Sequence, residues 1–228
     1  MKKDKNMKSA VAIMAHPDDE VLGCGATLSR LKREGYNTYV LILATGITSR
    51  GIKNKKQIIS LRNDAKLAAQ SLGVSSIYFE DFPDNKMDTI PLLEIVKKVE
   101  DFVLRINPDI IFTHHDGDAN VDHTITQKAV LIAARSLPKS KKKEIFASEI
   151  LSSSEFGRSD KKIRTDCYFQ LENEDIKKAL KALTFYKSEI RIFPHPRSID
   201  AMQSYYKLRG AECGFNLAET FEVLKIVR

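Results

Sequence analysis

Five histidines concentrate the chemistry of this chain, and each sits in a short polar cluster. His16 lies in Ala15-His16-Pro17-Asp18-Asp19-Glu20, directly behind an apolar run at 10–14. His114 and His115 lie in Thr113-His114-His115-Asp116-Gly117-Asp118, followed by Asn120-Val121-Asp122-His123. His195 lies in Phe193-Pro194-His195-Pro196-Arg197-Ser198. Imidazole and carboxylate gathered where buried strands end form the donor mixture of a metal-centred active site. His16 and Asp19 stand three apart at a strand-to-helix turn, so both can point to one side and share a divalent ion. His123 opens the helix after another strand and can supply a third ligand from across the sheet. Two imidazoles and one carboxylate leave a position open for water, the catalytic rather than the structural pattern. Zinc suits this set; iron, cobalt and nickel also fit it.

Asp18 lies between these ligands. A carboxylate there can take the proton of a water whose pKa the ion lowers to roughly 7. Asp122, beside His123, can orient a neighbouring histidine or asparagine. Each cluster alone has a plainer reading. Asp18, Asp19 and Glu20 suit the positive end of a helix. Asp122-His123 suits a helix cap with a solvated ring, and His195 a structural place between two prolines. Recurrence of the pattern at all five histidines argues against coincidence.

The elements that must position these residues alternate between strand and helix. Strands are expected at 10–14, Thr38–Ala44, Ser76–Phe79 and Asp109–Thr113. Helices are expected at 19–34, Lys56–Leu72, Pro91–Ile106 and His123–Leu137, with apolar residues at helical spacing. Leu92, Ile95, Val96, Val99, Phe102 and Val103 should share one face of the third. Alternation of this kind predicts an α/β fold with a doubly wound, mostly parallel sheet flanked by helices. Ligands bind such sheets beyond the carboxyl ends of the strands, where both His/Asp clusters fall.

The last third is less regular. Strands are expected at Ile145–Leu151, Cys167–Gln170 and Thr220–Val227, and helices at Ile176–Glu189 and 197–213. Residues 1–228 then form a single domain. Within it, 1–137 is a metal-binding α/β core and 138–228 an irregular α+β portion on the substrate side. Lys139–Lys143 and Ser152–Lys162 read as exposed loops. Gly23 and Gly25 read as close helix–sheet packing, because Gly-Cys-Gly sits inside a helix and lacks the rest of a phosphate-loop pattern.

With 228 residues, 43% of them hydrophobic, the chain can build a sizeable core. No apolar run approaches the ~20 residues of a membrane span. The basic start, Met1-Lys2-Lys3-Asp4-Lys5, is not followed by a signal-peptide pattern. Three widely spaced cysteines without a Cys-x-x-Cys pair argue for a reducing compartment, so a cytoplasmic location is expected. The net charge of +7 is spread over several basic stretches that are not interleaved with aromatics. That is not the stacking platform of a single-strand nucleic-acid binder.

Residues 15–25, Ala-His-Pro-Asp-Asp-Glu-x-x-Gly-x-Gly, resemble the signature of the LmbE-like (PIG-L) de-N-acetylases. The resemblance continues through Arg62-Asn63-Asp64-Ala65 and the Pro-Asp turn Asp81-Phe82-Pro83-Asp84-Asn85. It includes Thr113–His123, His195-Pro196-Arg197-Ser198, Arg209-Gly210-Ala211 and Ala218-Glu219-Thr220-Phe221. The resemblance implies a Rossmann-like sheet and one divalent ion, usually zinc, held by His16, Asp19 and His123. It implies hydrolysis of the N-acetyl group of an acetylated amino sugar or conjugate, with Asp18 as the base.

There are departures from the family pattern. Asn120 stands where some members carry a histidine, which makes His195 the candidate for protonating the leaving amine. Asp116 stands at a frequent proline, and Asn63 at a common arginine. Asp84, Asn120, Arg62, Arg197 and Arg209 are the candidates for contact with substrate. The resemblance also admits a homo-oligomer.

An intact Asp18, which no ion needs as a ligand, favours an enzyme over a binding domain, and the resemblance implies an N-deacetylase acting on a linear amide of a small sugar substrate. The alternatives are another mononuclear-metal hydrolase, of amides or phosphate esters, and a non-catalytic basic domain that holds its metal structurally. Ligands for one ion suit a phosphodiester less well than a two-metal clamp would.

Overall fold

Strand β1 (Ser9–Met14) is buried along its whole length, and its two faces seed two different cores. Ala10, Ala12 and Met14 pack with Cys24, Leu28 and Leu31. Val11 and Ile13 pack on the opposite face with Ile95, Val99 and Phe102. A strand covered on both sides needs no polar alternation, which is why 10–14 reads as a continuous apolar run. In this computed structural model, the described residues are 7–46, 55–138, 140–158 and 160–227. The basic segment Met1–Lys5, Lys53 of the second basic stretch and Lys139 of the Lys139–Lys143 loop lie outside them.

Around β1 run β2 (Asn37–Ala44), β3 (Ser76–Phe82), β4 (Ile110–His114) and β5 (Glu144–Ser148), all parallel. The sheet is completed by β6 (Cys167–Gln170) and β7 (Ala218–Lys225), in the order β3-β2-β1-β4-β5-β7-β6. Strand β7 pairs antiparallel with both β5 and β6. Helices α1 (Asp19–Arg33), α2 (Lys55–Leu72), α5 (Asn173–Phe185) and α6 (Ile199–Cys213) contribute to the core on one face. Helices α3 (Leu92–Ile106) and α4 (Val121–Ala133) cover the other. The order reverses between β1 and β4, one leading to β2 and the other to β5. That is the crevice where doubly wound sheets bind ligands.

The expected α/β architecture is present, and its boundaries shift for local reasons. β5 stops at Ser148 instead of Leu151, because Ser153 and Ser154 turn their N–H groups back onto the Ile150 carbonyl. α4 begins at Val121, capped by the Asn120 side chain, which accepts the Asp122 N–H. α5 begins at Asn173 through a reciprocal cap between Glu172 and Asp175. Leu92, expected on the apolar face of α3, is the first helical residue after Pro91 and is exposed.

Helix α1 is not continuous. Cys24, between Gly23 and Gly25, leaves helical geometry with φ −155° and ψ 17°, so the turn carrying Asp19 and Glu20 is set apart from the rest. The two glycines differ. A Cβ on Gly23 would meet the Ile150 side chain at 2.6 Å and Ser148 Cβ at 3.0 Å, whereas one on Gly25 would make only ordinary contacts. Close packing therefore explains Gly23 alone. Gly23→Ala should lose about 1–3 kcal/mol in denaturant unfolding, and Gly25→Ala less than about 1 kcal/mol.

Candidate active site

The loop from β1 into α1 carries His16 to Asp19, and the loop from β4 into α4 carries Asp118 to His123. Because β1 and β4 are neighbours, the two loops meet over the crevice. His16 Nδ1 lies 3.3 Å from His123 Nε2 and 3.3 Å from Asp19 Oδ2. His123 Nε2 lies 3.2 Å from the same Asp19 oxygen. These three buried donors form a nearly equilateral triangle. A tetrahedral ion with bonds of about 2.0–2.1 Å has donor-to-donor edges of about 3.3–3.4 Å. The triangle therefore fits one face of such an ion, and all three residues line the pocket.

The outer nitrogens of both rings meet carboxylates. His16 Nε2 is 3.0 Å from Asp122 Oδ2 and 3.3 Å from Asp84 Oδ1. His123 Nδ1 is 3.0 Å from Asp118 Oδ1, off the line of a straight hydrogen bond. Carboxylates in this place fix ring orientation and raise ligand basicity. Asp122 also accepts the N–H groups of Asn85 and Met87, at 2.7 and 2.9 Å, and so ties the Pro-Asp turn to α4. His114 stacks flat on His123, with centroids 3.9 Å apart, and its Nε2 accepts the Ala15 N–H. His115 is no part of the site. It bridges Glu222 and the Lys161 carbonyl.

Asp18 occupies a left-handed backbone conformation, φ 101°, unusual for a residue with a side chain and a known form of stored strain at functional sites. It is held from three sides. Its N–H donates to Glu20 Oε2, its carbonyl accepts from Val21 and Leu22, and its carboxylate pairs with Arg197 Nη1 at 3.1 Å. Glu20 is itself buried and accepts the Tyr186 hydroxyl. Burial pushes Asp18 up to about 7, against the pull of Arg197.

The same burial acts on the ligands. It opposes charge on His16, but hydrogen bonds to Asp122 and Asp19 outweigh it and raise the ring to about 10. It opposes charge on His123, but Asp19 and Asp118 raise that ring to about 9. It also opposes charge on Asp19, yet His123 and His16 hold this carboxyl well below its ordinary range.

The pocket has a volume of about 90 Å³ and is lined by polar groups, among them Asp84, Asn85, Asn120, Ser153, Glu189 and Arg197. Of the expected substrate contacts, Asp84, Asn120 and Arg197 reach it. Asn120 is already engaged there, its carbonyl oxygen accepting from Asp122 and its amide donating to Asn85. Arg62 and Arg209 are not among the lining residues. Arg62 is consumed by Asp81 and the Glu80 carbonyl, and Arg209 by Glu149 and Glu212 while stacking on Tyr205. His195 is exposed, and its Nδ1 accepts the Arg197 N–H; it too is outside the lining.

The sequence reading assigned no role to Glu20, Asp118, Ser153 or Glu189. Asp118 carried a signal, since it stands in the same His/Asp cluster as His123. Glu20 stands in the first cluster beside Asp19, while Ser153 and Glu189 reach the site from distant turns.

A doubly wound α/β sheet with His/Asp donors for an ion at its switch point defines the class. Residues 11–134, more than half the chain, match the family described as PIG-L, GlcNAc-PI de-N-acetylase, and the chain belongs to that family. It is similar to the uncharacterized deacetylase YaiS of Escherichia coli (strain K12), 30% identical over 136 residues, covering 58% of this chain and 70% of YaiS. Among solved structures it resembles GalB, the 4-carboxy-2-hydroxymuconate hydratase of Pseudomonas putida KT2440, with TM-score 0.80, 20% identity, and 97% and 98% of the two chains covered. It also resembles the N,N'-diacetylchitobiose deacetylase of Pyrococcus horikoshii, with TM-score 0.75, 17% identity, and 96% and 85% covered. Likeness at these identities is likeness of fold, and a hydratase and a deacetylase share it. Among the described residues, no helix is long and apolar enough to cross a membrane.

Ligation requires neutral imidazoles, while the surrounding carboxylates favour the charged forms of His16 and His123. Uptake of a divalent ion at pH 7 should thus release protons, and apparent affinity should rise with pH. Calorimetry in two buffers of different protonation enthalpy measures the first, and chelator competition at two pH values the second. Without ion, the raised histidines stabilise the fold below pH 6.5, and that contribution is lost as pH rises through about 9 to 10.

Proposed function

We propose that the protein is a zinc-dependent N-deacetylase that releases acetate from an N-acetylated amino sugar or sugar conjugate. The observation that supports this reading best is the triangle of His16, Asp19 and His123, with Asp18 beside it in a polar pocket. A divalent ion at these donors would polarise the amide carbonyl and acidify water.

The chain's own groups account for the rest of the chemistry. Asp18 takes the proton of the attacking water as oxygen adds to the carbonyl carbon. The carbon–nitrogen bond then breaks, and the nitrogen must receive a proton, because an amine anion is a very poor leaving group. Asn120 has no proton to give, and its amide is already engaged. His195 is exposed and outside the pocket lining. Asp18, near pKa 7 in the ion-free site, is suited to both accept the proton and return it. Arg197 holds the Asp18 carboxylate in place throughout. Asp122 keeps the His16 ring turned so that Nδ1 faces the other donors.

The size of the pocket supports a small reacting group. At ~90 Å³ it is much smaller than the groove beside it, which suits a group the size of an acetamide. The remainder of the substrate would lie in an adjoining groove of about 370 Å³, lined by Gln57, Ser60, Leu61, Asp64, Lys187 and Ser188. Leu61 lines both spaces, and the polar side chains of the groove suit sugar hydroxyls. Free Cys24, Cys167 and Cys213 accord with work in the cytoplasm.

Acetate release from a panel of N-acetylated sugars, with and without chelator, tests the activity. Chelator-sensitive release that zinc restores is the expected outcome; chelator-resistant release would remove the metal from the mechanism. Asp18→Asn should keep the ion and lower turnover by about 10²–10⁴-fold. Turnover retained in that variant would remove Asp18 as the base. His123→Ala should lose bound zinc by elemental analysis, and a full complement of zinc would refute the ligand assignment.

A further inference from the structure

The turn after β5 carries three consecutive serines, Ser152, Ser153 and Ser154, and their hydroxyls divide between the two sides of the site. Ser153 Oγ donates to Asp118 Oδ1 at 2.5 Å, and Ser154 Oγ to Asp118 Oδ2 at 2.6 Å. Ser154 Oγ also accepts the Ile150 N–H at 2.8 Å. A hydroxyl has one proton, so this leaves that proton aimed at Asp118. Asp118 Oδ1 further accepts the Asn120 N–H at 2.8 Å. With both oxygens occupied from fixed directions, the carboxylate cannot turn about its own bond. It therefore presents one edge to His123 Nδ1, 3.0 Å away, on the ring whose Nε2 completes the donor triangle.

The turn is itself anchored. The Ile150 side chain is buried against Gly23 of α1. Farther along, the Arg158 N–H donates to the Gly117 carbonyl, and the Lys161 carbonyl sits 2.6 Å from His115 Nε2. The segment that reads as an exposed loop thus spans from Gly23 of α1 to the loop that carries Asp118. Ser152 turns the other way. Its hydroxyl meets Arg197 Nε, on the Asp18 side.

We propose that Ser153 and Ser154 are positioning residues for the ion site. By fixing the rotation of Asp118, they set the orientation of His123 toward a divalent ion. This inference rests on the metal-dependent reading above.

The experiment compares zinc affinities of the full-length, ion-stripped protein and its variants by competition with a chromophoric chelator at one pH. Ser153→Ala/Ser154→Ala should bind zinc about 10–100-fold more weakly than the wild type. Ser153→Thr keeps the hydroxyl, and Ser152→Gly removes one that faces Arg197. Both should stay within about twofold of wild type. Unaltered affinity in the double variant overturns the inference. An equal loss in Ser152→Gly does so too, since it would reflect general loosening of the turn. A wild-type chain that takes up no zinc overturns the metal reading along with it; uptake by wild type that the double variant matches overturns this inference alone. Circular dichroism checks folding, and if the double variant fails to fold, the two single alanine variants are compared in its place.

Discussion

Negative charge buried in one place is the constraint on which the rest of this structure depends. Asp18, Asp19, Glu20, Asp84, Asp118, Asp122 and Glu189 are all buried around one crevice, and Arg197 forms ion pairs with two of them, Asp18 and Glu189. Carboxylates without partners are costly to bury, and removing one partner leaves the other exposed to that cost. In the ion-free chain the balance is met in two ways. Carboxylates favour the charged forms of His16 and His123, and burial drives Asp18 and Glu20 toward their neutral forms. A divalent cation at the His16–Asp19–His123 triangle would relieve the same excess.

The scaffold brings these groups together through a simple feature of connectivity. β1 and β4 are adjacent, although about a hundred residues separate them in the chain, and their following loops leave in opposite senses. One loop contributes a turn set apart by the irregularity at Cys24. The other contributes a helix capped by Asn120. Each loop leans on the other, His16 on Asp122 and His123 on Asp19. The crossing contacts make the strand pairing and the donor geometry a single structure.

This division explains how much was legible beforehand. The strands and helices could be read from periodicity, and the side chains that meet at the triangle from residues a few positions apart. His16, Asp18 and Asp19 share one turn, and Asp122 stands next to His123. Ser153 and Ser154 carry no such local sign. Three serines followed by Glu and Phe look like any solvated turn, and their partner Asp118 lies about 35 positions away. The arginines show the converse. Sequence marks Arg62, Arg197 and Arg209 as cations near the motifs but does not say whether a carboxylate has already claimed them. Asp81 claims Arg62, and Glu149 and Glu212 claim Arg209. Arg197 faces the pocket, its partners being pocket carboxylates themselves.

The stretch that matches the family, residues 11–134, contains every donor of the triangle, together with Asp18, Asp84, Asp118 and Asp122. Ser153, Glu189, Arg197, Lys187 and Ser188 all come from beyond it. Yet the first stretch does not stand alone. Arg197 pairs with Asp18, Tyr186 meets Glu20, and Ser153 and Ser154 meet Asp118. A change in the last ninety or so residues therefore reaches the crevice as well as the groove beside it, and the two stretches are constrained to vary together.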